Sequence, residues 1–230
     1  MKFSTSKNEL QAALQKLSKA TPSRSTLPIL NSVLVTVSEN ETTIKSTDLE
    51  ITVIVKLAAS IETVGSVAAP LQMLSSITNE LPDEMRIDFE VNSENKIKIL
   101  TEYGDYNIVG KPADEFPNTP EIETKNQIEI EASTLKEIVS KTVFAVSRDD
   151  LKPALTGVLF KFLKNNLTAV ATDGHRLVKY EKTNEENISE FGDIIVPKKF
   201  LNLLLGGLDG GKIKLTIGEN HLTTTIGNDY

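Results

Sequence analysis

The sequence predicts an α+β chain built from two tandem β-rich domains with two helices each. Three observations predict it. Most of the chain reads as short strands rich in Val, Ile, Leu and Thr between Asn, Asp, Gly and Ser turns, interrupted by four apolar stripes at helical spacing. A length of 230 residues exceeds one average domain and can fill two cores. Finally, the second half repeats the first: Thr47-Asp48 returns 125 positions later as Thr172-Asp173, in the same strand, turn, strand setting.

Taken in order, Lys7 to Ala20 place Leu10, Ala13, Leu14 and Leu17 on one helical stripe, with Ser6 as N-cap and Glu9 completing a capping box. Thr21-Pro22-Ser23-Arg24-Ser25-Thr26 is a loop by composition, followed by Leu27-Pro28-Ile29-Leu30 and a strand at Val33 to Val37. Glu39-Asn40-Glu41 turns the chain into strands at Thr42 to Thr47 and Ile51 to Leu57. Pro70 opens a second helix with Leu71, Leu74, Ile77 and Leu81 on its stripe. Strands at Arg86 to Val91, Lys96 to Leu100 and Tyr106 to Gly110 follow. The proline-rich run from Lys111 to Pro120 then breaks both periodicities and marks a domain boundary, giving domains 1-120 and 121-230.

The second half begins with a strand at Gln127 to Ile130 and a helix from about Thr134 to Val146. A loop at Ser147 to Pro153 and strands from Gly157 lead to a helix opened by Pro197, carrying Phe200, Leu201, Leu204 and Leu208, and stopped by Asp209-Gly210-Gly211. Leu10 falls on Leu135, Pro28 on Pro153, Leu30 on Leu155, Pro70 on Pro197 and Ile87 on Ile213. A period this long is a duplicated domain, not a solenoid repeat. Gly104-Asp105-Tyr106 falls on Asn228-Asp229-Tyr230, so the second copy is expected to lack its closing strand and the sequence is read as a fragment.

Composition narrows the function classes. Hydrophobic residues at 39% and charged residues at 25% are those of a globular chain. No apolar run approaches the roughly 18 residues of a membrane span, and the N-terminus lacks a signal-peptide core, so a cytoplasmic protein is expected. The absence of Cys rules out disulfides, thiolate metal sites and Cys nucleophiles, and the two histidines, His175 and His221, leave little for a metal centre. No cofactor is expected. A formal charge of −7 excludes coating nucleic acid with the whole surface, but allows one basic face.

The tandem β-rich domains, Leu27-Pro28-Ile29-Leu30, Ser46-Thr47-Asp48-Leu49-Glu50, Pro112-Ala113-Asp114-Glu115-Phe116-Pro117 and Ala171-Thr172-Asp173-Gly174-His175-Arg176-Leu177 together resemble the bacterial DNA polymerase III beta subunit, the replicative sliding clamp. The resemblance runs over the entire chain and implies a DNA clamp fold, in which two helices per domain face the DNA channel. Members of that family have three domains, and two chains close into a homodimeric ring around double-stranded DNA. The first domain and most of the second are matched here, with no counterpart of the third. The implied function is not enzymatic: a processivity factor that holds DNA by topology and tethers the replicative polymerase.

Several residue roles follow from the resemblance. Arg24 matches a DNA-contacting residue, and Arg148 and Lys152 lie in the family's second DNA-contacting loop, where Asp149 replaces an amide. Lys19, Gln72, Lys141 and Lys199 occupy the helix faces opposite the apolar stripes, with Glu137 as an acidic exception. Leu155, Thr172, Gly174, His175, Arg176 and Leu177 match part of a pocket that takes short linear peptides from the DNA polymerase III catalytic subunit, the clamp loader and repair polymerases. Tyr106 and Ile108 match the edge at which subunits meet.

Other chemistry fits less well. Asp173 and His175 invite a hydrolase reading, but no Gly-x-Ser-x-Gly elbow is present and the duplicated Asp48-Leu49-Glu50 lacks a His. A metal nuclease using Asp48, Glu50 and Asp173 would draw ligands from separate domains, and no phosphate-binding Gly-rich loop occurs. A β-rich adaptor that binds only peptides, without encircling DNA, remains the nonenzymatic alternative.

Overall fold

The computed structural model describes residues 1–22, 25–119, 126–149, 151–163, 166–183, 192–207, 210–219 and 221–226. The chain separates near residue 120 into two compact units.

Unit 1 contains β1 (Lys2–Ser6), α1 (Lys7–Ser18), β2 (Ser32–Val37), β3 (Thr42–Thr47), β4 (Thr52–Leu57), β5 (Ser60–Thr63), β6 (Gly65–Pro70), α2 (Leu71–Glu80), β7 (Arg86–Val91), β8 (Lys96–Thr101) and β9 (Gly104–Val109). They form a five-stranded sheet in the order β5-β1-β7-β8-β9 and a four-stranded sheet in the order β4-β3-β2-β6. One core fills the unit: Leu10, Leu14 and Leu17 of α1 and Leu74 of α2 join Val33, Ile44, Ile87 and Ile97 from the strands. Ser6 accepts the N–H of Glu9 at 3.2 Å, which caps α1 as its sequence predicts.

Three strands have no place in the sequence reading. β1 pairs with both β5 and β7, and its Phe3 ring stacks on Phe89 with centroids 5.0 Å apart. β5 is a short, mostly exposed edge, and β6 is built largely of small residues. Pro70 ends β6 and caps α2 from outside the helix, so the strand runs directly into the helix.

The proline-rich segment has a structural explanation. Phe116 is buried against Ile29, Leu30 and Ala68, so two sequence motifs more than eighty residues apart form one small cluster. Lys45 closes it: its ammonium lies 5.4 Å from the Phe116 ring centroid and donates to Thr119 Oγ1 at 3.1 Å. Burial lowers the Lys45 pKa. Gly110 lets the chain leading to this segment run close to β6, because a Cβ there would fall 2.7 Å from Val67 and 3.0 Å from the Ala68 carbonyl.

Unit 2 contains β10 (Asn126–Glu131), α3 (Ala132–Thr142), β11 (Gly157–Leu163), β12 (Asn166–Thr172), β13 (Leu177–Thr183), β14 (Gly192–Pro197), α4 (Lys198–Leu205), β15 (Lys212–Ile217) and β16 (Leu222–Thr224). Its sheets run β13-β12-β11-β14 and β10-β15-β16. The first repeats β4-β3-β2-β6 strand for strand, and the second repeats β1-β7-β8. The duplication read from sequence is therefore a duplication of topology. α3 starts two residues before its predicted start and ends at Thr142, giving way to a 3-10 turn at Val143–Ala145. α4 ends at Leu205 with Gly206 as C-cap, earlier than the Asp209-Gly210-Gly211 stop. Leu208 and Asp209 lie outside the described residues. No described helix is long and apolar enough to cross a membrane.

Candidate functional site

The β12–β13 hairpin is built on one hydroxyl and one carboxylate. Thr172, the last residue of β12, pairs with Leu177, the first of β13, leaving Asp173 to Arg176 as the turn. Thr172 Oγ1 accepts the N–H of Gly174 at 3.1 Å and donates to the Arg176 carbonyl at 2.7 Å. Asp173 Oδ1 accepts the N–H groups of His175 and Arg176, both at 3.0 Å. Gly174 sits at φ +89°, a backbone conformation that only Gly adopts without cost. The Arg176 N–H, then that of His175, then the Arg176 guanidinium stabilise the carboxylate and hold the Asp173 pKa down to about 2. All of Asp173's hydrogen bonds are spent on the turn, which accounts for the Asp–His proximity in sequence without any catalytic role.

Arg176 is held on two sides. Its Nε donates to Asp173 Oδ2 at 3.1 Å and its Nη2 donates to the Phe144 carbonyl at 2.9 Å, while the guanidinium lies 5.5 Å from the Phe144 ring centroid. His175, Arg176 and Leu177 are exposed, Leu177 by 66%, and Leu155 is half-buried on the 3-10 turn Pro153–Leu155. The Leu155 carbonyl accepts the Ser147 N–H at 2.8 Å, closing the loop that leaves the Phe144 turn. Phe144 is half-exposed beside Arg176. The expected pocket residues from Thr172 to Leu177 thus share one turn, and Phe144, which sequence reasoning passed over, is tied to them. The sequence placed Phe144 inside the predicted helix, and only the end of α3 at Thr142 sets it on the following turn.

The expected DNA-facing residues fall on exposed helix ends and loops of their respective units. Lys19 is the exposed C-cap of α1, and Gln72 is exposed on the first turn of α2. α1 and α2 are joined by Gln11 Nε2 donating to Asn79 Oδ1 at 2.8 Å, and Lys7 at the start of α1 holds Asp83, in the segment after α2, at 2.7 Å. Arg24 lies outside the described residues. In unit 2, Lys141 is exposed at the end of α3, Arg148 and Lys152 are exposed in the following loop, and Lys199 is half-exposed on α4. Asp149 Oδ1 accepts the Leu151 N–H at 3.1 Å, so this carboxylate shapes the loop from within. Glu137, the acidic exception on α3, is paired with Lys182 of β13 at 2.8 Å. Lys182 and then the Tyr180 hydroxyl lower its pKa, and its charge is offset locally.

The expected subunit edge, with Tyr106 and Ile108, lies on β9. Among the described residues β9 is an edge strand, paired only with β8. Its alternation turns Ile108 into the unit's own core at 9% exposure, and Tyr106 packs half-buried against the same cluster. Tyr103 and Val109 are the apolar side chains exposed there, at 73% and 68%. Among the described residues no group of three or more His, Asp or Glu could hold a metal ion.

Comparison with known proteins gives a consistent picture. The family model for the DNA polymerase III beta subunit, N-terminal domain, matches residues 1–120, and the model for its central domain matches residues 129–230. The beta sliding clamp of Bacillus subtilis is 31% identical over 217 residues, covering 91% of this chain and 57% of its own length. The crystal structure of a DNA polymerase III beta subunit from Eubacterium rectale superposes with a TM-score of 0.93 at 29% identity, over 100% of this chain and 63% of that one. A Pseudomonas aeruginosa sliding clamp bound to griselimycin gives 0.89 at 27% identity, over 100% and 63%. This chain spans about three fifths of the length of such relatives. With the duplicated sheet order and both domain models matched in sequence, the chain belongs to the DNA polymerase III beta subunit family, the sliding clamps.

Proposed function

We propose that the protein carrying this chain is a DNA sliding clamp: it encircles duplex DNA as a homodimeric ring and tethers the replicative polymerase in the cytoplasm. The observation that carries this reading is the pair of family models matched in chain order on a duplicated fold. A clamp holds DNA by topology, so its work calls for a smooth, weakly basic channel in place of a reacting group. Lys19, Gln72, Lys141, Arg148, Lys152 and Lys199, with Arg24, are the proposed channel contacts. Lysine and arginine charges at exposed helix ends attract phosphate at long range and fix little, which suits sliding in an otherwise acidic protein.

On this reading the β12–β13 turn is one wall of the site where partners dock. Leu155, Thr172, Gly174, His175, Arg176 and Leu177 offer aliphatic surface, an open backbone at Gly174 and a fixed guanidinium at the rim. That combination suits a short linear peptide with apolar anchors, from the DNA polymerase III catalytic subunit, the clamp loader or a repair polymerase.

Two experiments test the reading. Loaded by a clamp loader, the full-length gene product is expected to stay on circular DNA and to run off linear DNA; equal retention on both would favour a peptide-binding adaptor. Griselimycin, found bound to the Pseudomonas aeruginosa clamp, is the probe for docking. Its binding, followed by calorimetry, is expected to weaken when Leu177 is replaced by Asp.

A further inference from the structure

We propose that Phe144 is a positioning residue of the partner-docking site, acting through Arg176; this rests on the clamp reading above. Arg176 ends a four-residue turn that contains Gly174 at positive φ, and a long side chain leaving such a turn has many rotamers open to it. Here it has one arrangement, because it is gripped at both ends of the guanidinium. Asp173 takes Nε, the Phe144 carbonyl takes Nη2, and the Phe144 ring lies against the cationic plane at 5.5 Å. The first grip is local to the turn. The second reaches back 32 residues to the 3-10 turn that ends α3. It therefore couples the turn to a packed helix, since Ala145 beside it is fully buried. Phe144 is 52% exposed, and its partner in the turn is the guanidinium one residue before the exposed Leu177. Unit 1 supplies the control. The position matching Phe144 is Lys19 and the position matching Arg176 is Ile51, which is buried, so that turn needs no such brace.

The test uses Phe144→Leu, which keeps the carbonyl and loses the ring, Phe144→Trp as the conservative variant, and Arg176→Gln. Amide hydrogen exchange at His175 and Arg176 reads the turn directly, because both N–H groups are bonded to Asp173. Removing the ring should speed this exchange about threefold, and removing the guanidinium about tenfold or more, with strand amides of β11 and β12 unchanged. Phe144→Trp should restore the wild-type rate. Griselimycin affinity in the full-length protein should fall in Phe144→Leu and Arg176→Gln and recover in Phe144→Trp. Unchanged exchange in Phe144→Leu would overturn the proposal, as would faster exchange with unchanged griselimycin affinity, which would leave the ring a purely structural contact. If the wild-type protein takes up no griselimycin, the docking reading falls and this proposal with it. That outcome is recognisable, because the exchange rates would still follow the ring.

Discussion

The two hairpins at residues 47–52 and 172–177 share a hydrogen-bond frame and differ in almost everything attached to it. In unit 1, Thr47 Oγ1 accepts the Leu49 N–H at 3.1 Å and donates to the Ile51 carbonyl at 3.0 Å. Asp48 Oδ1 accepts the N–H groups of Glu50 and Ile51. These are the bonds that Thr172 and Asp173 make in unit 2, and the residue after the Asp is at positive φ in both, +77° at Leu49 and +89° at Gly174. Past the frame they diverge. Unit 1 buries Thr47 and Ile51 and packs Val55 and Leu57 of β4 into its core. Unit 2 puts Arg176, Tyr180 and Lys182 at the matching positions and leaves Arg176 and Leu177 at the surface. The Thr-Asp pair is therefore scaffold, and the residues that differ around it are those of the proposed docking wall in unit 2.

The frame should matter most where it is buried. Thr47 Oγ1 also accepts from the Thr52 hydroxyl at 2.9 Å, so Thr47→Val strips partners from several groups at a site that is 4% exposed. A loss of about 2 kcal/mol is expected there, against about 1 kcal/mol for Thr172→Val, where water can substitute. Native-state hydrogen exchange on β3 and β12 reads the two units separately. Equal costs would mean that the frames are not equivalent in the way the geometry indicates.

The positive-φ residues sharpen the contrast. A Cβ on Gly174 would meet nothing within 4 Å, so Gly174→Ala tests backbone strain alone and should cost about 1 kcal/mol. Leu49 already bears that strain. Leu49→Gly relieves it but gives the unfolded chain more freedom, and the two effects should cancel to within about 0.5 kcal/mol. A large stabilisation from Leu49→Gly would show that the exposed Leu is retained at real expense, and would make it a candidate contact residue.

Acid should loosen the unit 2 turn. The Asp173 carboxyl titrates at about 2 in the folded chain, below the ordinary carboxylate value near 4. Its contribution is complete above about pH 4 and disappears as the pH falls toward 2. Exchange at His175 and Arg176, corrected for the intrinsic pH dependence of exchange, should accelerate through that window, and Asp173→Asn should remove the transition.

How far the sequence revealed this follows from which forces acted locally. The Thr-Asp-Gly turn was legible because its chemistry lies within four residues and because it occurs twice. The central strands were legible from alternation. β6 was not, since Val67, Ala68 and Ala69 are all buried and leave no alternation to read, and β5 has only Ile61 to mark it. Tyr106 and Ile108 were expected at the subunit edge, and alternation along β9 turns both toward the unit's own core. The Phe144–Arg176 grip spans 32 residues and depends on where α3 stops, which periodicity does not resolve. Nor does periodicity show Phe116 reaching Leu30.

The smallest effect concerns how each hairpin meets its helix. In unit 1 the seam with α1 is apolar, through Val55 and Leu57. In unit 2 Tyr180 and Lys182 stand at those positions and hold Glu137 of α3, with Lys182 at 2.8 Å. Lys182 and Glu137 are both well exposed, so ions compete for them and the pair should contribute little. Salt should therefore speed exchange slightly in β13 and leave β4 unchanged, with sodium chloride and a non-binding salt giving the same trend. Glu137→Gln should abolish the salt response of β13 without measurable loss of DNA retention, because the carboxylate is already offset by Lys182. Lys141→Gln, on the same helix, removes a positive charge from the proposed channel face and should lower the slope of retention against log salt by about 0.9. If Glu137→Gln instead strengthened retention as much as Lys141→Gln weakened it, the carboxylate would be acting on phosphate directly, and the polar seam would belong to the channel and not to the hairpin.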